Sequence, residues 1–278
     1  MMRGLNDFSF AEWWSPWFAL GMAAVMIGYF YLIGPWRKKH APGEARPTIL
    51  QTAYVVSAAA MFYLTQGGPL QLMGHLNFTV HMVNMSLSYL IVPPLLLLGV
   101  PAFVWRLAFR SPRWRKLGWL MHPMLTLVLF NMLFSIYHMP IVFDYVMANP
   151  VAHWIYYAVL LVTSCMMWWQ IVSPVPDWKR MADVRKMGYI FANGLLLTPA
   201  CALIIFASGP MYAAYAEHGH GTFVIFDALQ DQQLGGIIMK LVQEVMYGAI
   251  LAYVFAQWYR REHKADDELP PTPSPAGN

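Results

Sequence analysis

Four histidines and two methionines are the residues of this chain best suited to chemistry. His81 and Met85 are spaced i, i+4, so on a helix they share one face, and Met82 is adjacent. His75 lies just upstream, while His138 and His153 stand at the ends of two other apolar runs. Imidazole with thioether is a ligand set that suits Cu(I), because thioether is soft and stays uncharged when it binds. Zinc more usually takes thiolate or carboxylate beside histidine. The bland alternative is packing: most of the 20 methionines fill apolar space, and a lone interfacial histidine is commonly a satisfied polar group. The case therefore rests on the set of residues and not on one member. His218 and His220, in a Gly-flanked HGHG run, are read as accessory or incidental.

A second group lies near the C-terminus. Asp231, Gln232 and Gln233 precede Gly235-Gly236, and Lys240 and Glu244 follow inside an apolar span. Ionisable groups at membrane depth are costly and point to function by default. The i, i+4 spacing of Lys240 and Glu244 also permits a simple ion pair. Asp144, in the loop expected after the fourth segment and six residues after His138, reads as a partner that orients an imidazole, or equally as a helix cap or a solvated loop residue. Cys165 and Cys201 belong to no C-x-x-C pair and read as small apolar residues.

What must position these side chains is a membrane bundle. Hydrophobic residues make up 58% of the chain and charged ones 12%, against roughly 25% charge in soluble domains. No Asp, Glu, Lys or Arg occurs between Arg46 and Arg106. Seven apolar segments are expected, over about 16–35, 49–65, 77–98, 119–138, 152–173, 188–208 and 233–257, each near the roughly 20 residues of a spanning helix. Gly67-Gly68-Pro69, Met139-Pro140, Ser173-Pro174 and Ser208-Gly209-Pro210 break them, and Pro93-Pro94 should kink or shorten the third. All Lys and Arg except Arg3 and Lys240 fall in the loops after segments 1, 3 and 5 or after segment 7. That asymmetry predicts an all-α fold of seven transmembrane helices, N-terminus outside and C-terminus cytoplasmic. The first helix is expected to be uncleaved, since basic residues follow it instead of preceding it. His75, His81, His138 and His153 then form one layer near the outer face. Residues 1–262 make the membrane domain, and the Pro-rich tail 263–278 is expected to be disordered in the cytoplasm.

Three runs carry a family resemblance. HMVNMSLSYLIVPPLLLLGVP (His81 to Pro101), YHMPIVFDYVMANPVAH (Tyr137 to His153) and DQQLGGIIM (Asp231 to Met239) resemble, in this order, the characteristic segments of CtaG-type cytochrome c oxidase assembly factors. The resemblance spans about residues 10–260. It implies a bacterial plasma-membrane protein that helps build a heme–copper oxidase and makes copper available to it. By resemblance the functional positions fall on His81, on His138 with Asp144 and His153, and on Asp231 with Gln232 and Gln233. Relatives carry a further His where this chain has Asn84 or Met85, and Met85 is the soft substitute there. An unrelated single-span copper chaperone shares the CtaG name and is not similar to this chain.

The reading is thus an assembly factor that binds Cu(I) through His75, His81, Met82, Met85, His138 and His153. Asp144, Asp231, Gln232, Gln233, Lys240 and Glu244 serve as supporting or lining groups. Its partners would be the oxidase catalytic subunit, an extracytoplasmic copper donor and the bilayer, with no nucleic acid. No nucleophile–base pair, phosphate loop or nucleotide fingerprint calls for an enzyme. Three rivals stay open: a heme- or quinone-binding redox protein, a copper permease, and a retinal protein using Lys240 without an acidic counter-ion on the third helix. Topology has a direct check. Cysteines introduced within 66–76, 140–150 and 211–229 should react with an impermeant thiol reagent on intact cells. Those within 37–46, 106–116 and 177–186 should not, and the reverse pattern would turn the histidine layer towards the cytoplasm.

Overall fold

The computed structural model describes residues 8–116, 118–178, 180–216 and 226–267. His218, His220, Arg3, Lys179 and residues 268–278 lie outside the described residues. Among the described residues every regular element is helical and there is no strand. The main rods are α1 (Phe10–His40), α2 (Ile49–Gln66), α3 (Pro69–Leu76), α4 (Phe78–Gly99), α5 (Ala102–Ala108), α6 (Pro123–Tyr137), α7 (Pro140–Ala148), α8 (Pro150–Val172), α9 (Asp183–Ile205) and α10 (Ala228–Asp267).

Five of these, α1, α4, α8, α9 and α10, are long and apolar enough to cross a membrane. A sixth arises if α6 and α7, bent by 77° at their junction, count as one broken span. The expected second segment is helical as α2 but is not among them, because Gln51, Thr52, Ser57, Thr65 and Gln66 dilute its 18 residues. The Gly67-Gly68-Pro69 break does not lead straight into the third segment. Pro69 starts a separate helix, α3, at the position where a missing N–H costs nothing. Asp144 sits within helix α7, not in a loop. At about 1.5 Å per residue, α10 is roughly 60 Å long, about twice a hydrocarbon core. It remains helical through Asp267, into the stretch expected to begin the tail.

α4 lies at the centre. Pro93-Pro94 does not end it; the strain is absorbed by a π turn over Leu87–Ile91. Pro93 has no N–H to give to the carbonyl four residues back, which is that of Tyr89. The Ser164 hydroxyl donates to that carbonyl at 2.5 Å and the Trp168 indole at 3.2 Å, both from α8. On its other side, α10 approaches closely because of Gly235-Gly236. A Cβ on Gly235 would meet the Phe78 ring at 2.8 Å and Met82 at 3.0 Å, and one on Gly236 would meet Ile204 and Ile205 of α9 at 2.9 Å. The two glycines thus let α10 wedge between α4 and α9. α1 stands at the periphery with none of its apolar window buried, touching the rest through Phe18 against Phe62, Tyr63 and Trp154.

Gly248, on the same helix, has nothing within 4 Å of a built Cβ. Gly235→Leu and Gly236→Leu should each lower stability in detergent by about 1–3 kcal/mol through overpacking, while Gly248→Leu should not. Equal thermal-melt losses at all three positions would remove close approach as the role of the pair.

Candidate functional site

The histidine layer is built on the first turn of α4. Asn77 Oδ1 accepts the Val80 amide at 3.0 Å. The Asp231 carboxylate, from α10, accepts the Phe78 amide at 2.8 Å and the Thr79 amide at 3.2 Å. The Thr79 hydroxyl donates back to the Asp231 carbonyl at 2.9 Å. Amides that a helix leaves unpaired are thereby satisfied, by an anion where the helix dipole favours one. Asp231 therefore sets the place of His81 through the backbone and does not touch its ring. Asp144 acts alike: its oxygens accept the Ala213 and Ala214 amides at 3.2 and 3.3 Å.

His81 is buried in aromatic rings, with Phe143 edge-on at 5.1 Å and Phe78 and Tyr215 each at 6.2 Å between centroids. Its Nε2 lies 3.1 Å from the Tyr137 hydroxyl. Tyr137 in turn lies 2.9 Å from the Tyr157 hydroxyl and donates to Met147 Sδ at 3.9 Å. The Tyr157 ring is 3.9 Å from that of His153, and His153 is 5.7 Å from His75. Three imidazoles, those of His81, His153 and His75, are thus linked through two phenols. His138, fully buried, completes the set beside Tyr137 at 5.2 Å. Its Nδ1 is bound to the Phe134 carbonyl at 2.7 Å, which fixes the proton there. Its Nε2 is buried without a hydrogen-bond partner.

The other expected residues divide. Met82 and Met85 are both buried, Met82 beneath Gly235. Asn84 is committed to α3, donating to the Leu70 carbonyl at 2.6 Å. Gln232 Oε1 accepts the Met211 amide at 2.8 Å, and Gln233 donates to the Ala207 carbonyl at 3.1 Å, so both hold the segment after α9. Among the described residues no group of three or more His, Cys, Asp or Glu side chains is gathered to hold a metal. Among the described residues, His138 Nε2 is the imidazole nitrogen that is both fully buried and without a hydrogen-bond partner.

The sequence reading missed the tyrosines. Besides Tyr137 and Tyr157, Tyr212 donates to the His138 carbonyl at 2.8 Å and Tyr215 to the Gly74 carbonyl at 2.5 Å. Burial, with the nearby Asp144 carboxylate as a lesser cause, raises the Tyr212 phenol above its ordinary range; burial likewise raises Tyr215. Both stay protonated as donors. The available signal was the His153–Tyr157 i, i+4 spacing and the Tyr137-His138 adjacency.

Residues 27–261 match the family model described as cytochrome c oxidase caa3 assembly factor. The chain is 25% identical over 271 residues to an uncharacterized protein of Mycobacterium leprae (strain TN), covering 88% of this chain and 39% of that protein. It thus spans about two fifths of the length of the curated relative it matches. No solved structure matches. The apolar helices and the family together fit a multi-pass protein of the bacterial plasma membrane.

Lys240 and Glu244 stand apart from the histidines. They pair at 2.5 Å, and Lys240 also donates to Thr198 of α9 at 2.7 Å. No hydrogen bond among the described residues joins them to the histidine layer. Lys240 is partly buried and Glu244 exposed on α10, so Lys240→Met or Glu244→Gln alone leaves one charged group without its partner on a helix apolar enough to cross a membrane. Each single variant should yield less folded protein by size-exclusion than the double variant. A double variant no better than the worse single one would show that the two do not act as a pair.

Proposed function

Because the chain belongs to the cytochrome c oxidase caa3 assembly factors, we propose that it receives Cu(I) as cargo at the histidine layer and passes it to the oxidase catalytic subunit. The observation that carries this reading is His138. With Nδ1 held by a backbone carbonyl, its Nε2 is a buried lone pair with no partner. That is how metal-binding imidazoles are commonly oriented. His81 is the second donor; its Nε2 exchanges the Tyr137 hydroxyl for the ion. His75, His153, Met82 and Met85 supply the remaining imidazole and thioether donors, a soft neutral set suited to Cu(I). A layer whose donors are not gathered in advance favours transfer over retention. No turnover chemistry is needed, so the role is not enzymatic. Copper reaches the layer from an extracytoplasmic donor protein.

On this reading α2 also crosses the bilayer, giving seven spans over residues 1–262, with the N-terminus outside and the 263–278 tail in the cytoplasm. The basic loops support that orientation. The layer is then at the outer face, where the oxidase copper sites are loaded.

Cells carrying His81→Ala or His138→Ala should make the oxidase polypeptides yet contain less active oxidase, and added copper should partly restore activity. Cu(I) affinity of the purified protein should fall as the medium is made more acid, since a proton competes for each imidazole lone pair. Full oxidase activity with both histidines replaced would overturn the copper role and leave the bundle standing.

A further inference from the structure

A large cavity lies at the opposite end of the bundle from the histidines, and nothing in the assembly reading uses it. Its volume is about 770 Å³, within the roughly 300–1,000 Å³ of small-molecule sites. It opens between the ends of α4 and α8 and the segment after α5. Its frame is aromatic: Trp105, Phe109, Trp114, Trp169 and Trp178 line it. They brace one another, with Trp105 edge-on to Trp169 at 5.1 Å, Phe109 edge-on to Trp114 at 5.2 Å, and Trp169 at 5.9 Å from Trp178. Such a clustered frame is a rigid apolar surface of the kind found at the level of lipid headgroups.

Charge selects the occupant. Arg106 is already neutralised by Glu44 and Asp177, each at 2.8 Å. Arg110 and Arg113, next in sequence to the lining residues Phe109 and Trp114, are exposed and form no ion pair among the described residues. An apolar cavity whose lining residues are flanked in sequence by exposed, unpaired arginines matches an acyl chain joined to an anionic phosphate.

We propose that this cavity binds one anionic phospholipid, with an acyl chain within the aromatic frame and the phosphate at Arg110 and Arg113. The lining tryptophans provide the readout. The full chain is reconstituted in phosphatidylcholine vesicles containing a rising fraction of acyl-brominated phosphatidylglycerol or acyl-brominated phosphatidylcholine, and tryptophan quenching is followed. The anionic lipid should quench at a several-fold lower fraction than the zwitterionic one. R110Q/R113Q, at exposed positions, should move the anionic curve on the order of tenfold towards the zwitterionic one. Leu161→Phe, which narrows the cavity, should reduce the depth of quenching by both lipids. Millimolar inorganic phosphate should leave the anionic curve in place. Coincident curves for the two lipids, an anionic preference that survives R110Q/R113Q, or displacement by free phosphate would each overturn the proposal. None of these outcomes depends on copper.

Discussion

Away from water, every backbone N–H and C=O must find its partner within the protein, and α4 is where that constraint binds hardest. Its interior is broken by Pro93, and its first turn begins at a helix end. Both places would leave buried groups unpaired. The Tyr89 carbonyl is met by Ser164 and Trp168, and the Phe78 and Thr79 amides by Asp231. α8 and α10 are thus fixed to α4 at two heights by bonds that admit little sliding. The register of three helices follows from two flaws in one of them.

That register sets the layer that carries the proposed chemistry. α10 reaches the α4 amides only because Gly235 clears Phe78 and Met82. Holding the first turn of α4 aims His81 at Tyr137, and fixing α8 brings Tyr157 to the same phenol, with His153 against the Tyr157 ring. The segment around Tyr212 and Tyr215 then closes over the layer, tied to the carbonyls of His138 and Gly74 and to Gln232. The histidines owe their grouping to backbone bonds made by residues that never touch them.

Much of the helical plan was legible because it is written in local terms. Apolar runs, Pro and Gly breaks and the Lys240–Glu244 spacing are all read within a few residues, and each has its counterpart in a rod, a boundary or a pair. What was not legible is long-range. Asp231 lies 153 positions from the amide it accepts, so the sequence shows a carboxylate near a proposed site and not a helix cap. The phenols escaped notice because a tyrosine inside an apolar run looks like core or interface until its hydroxyl is given a partner. α3 was hidden because Gly-Gly-Pro signals a break equally well whether a span or a short helix follows.

The capping roles of the two carboxylates bear on which ion the layer suits. Asp144 and Asp231 are each spent on two backbone amides, and the groups bonded to the ring nitrogens of His81 and His138 are a phenol and a peptide carbonyl. Neutral imidazoles and thioethers then leave an ion's charge almost uncompensated in a buried setting, a penalty that rises steeply with that charge. Among the described residues no carboxylate is gathered to offset that charge, and within the proposed reading a monovalent soft ion tolerates this best. Within the proposed reading, the same shortage favours Cu(I) over a divalent ion and keeps it loosely held, as a protein that hands its metal onward requires.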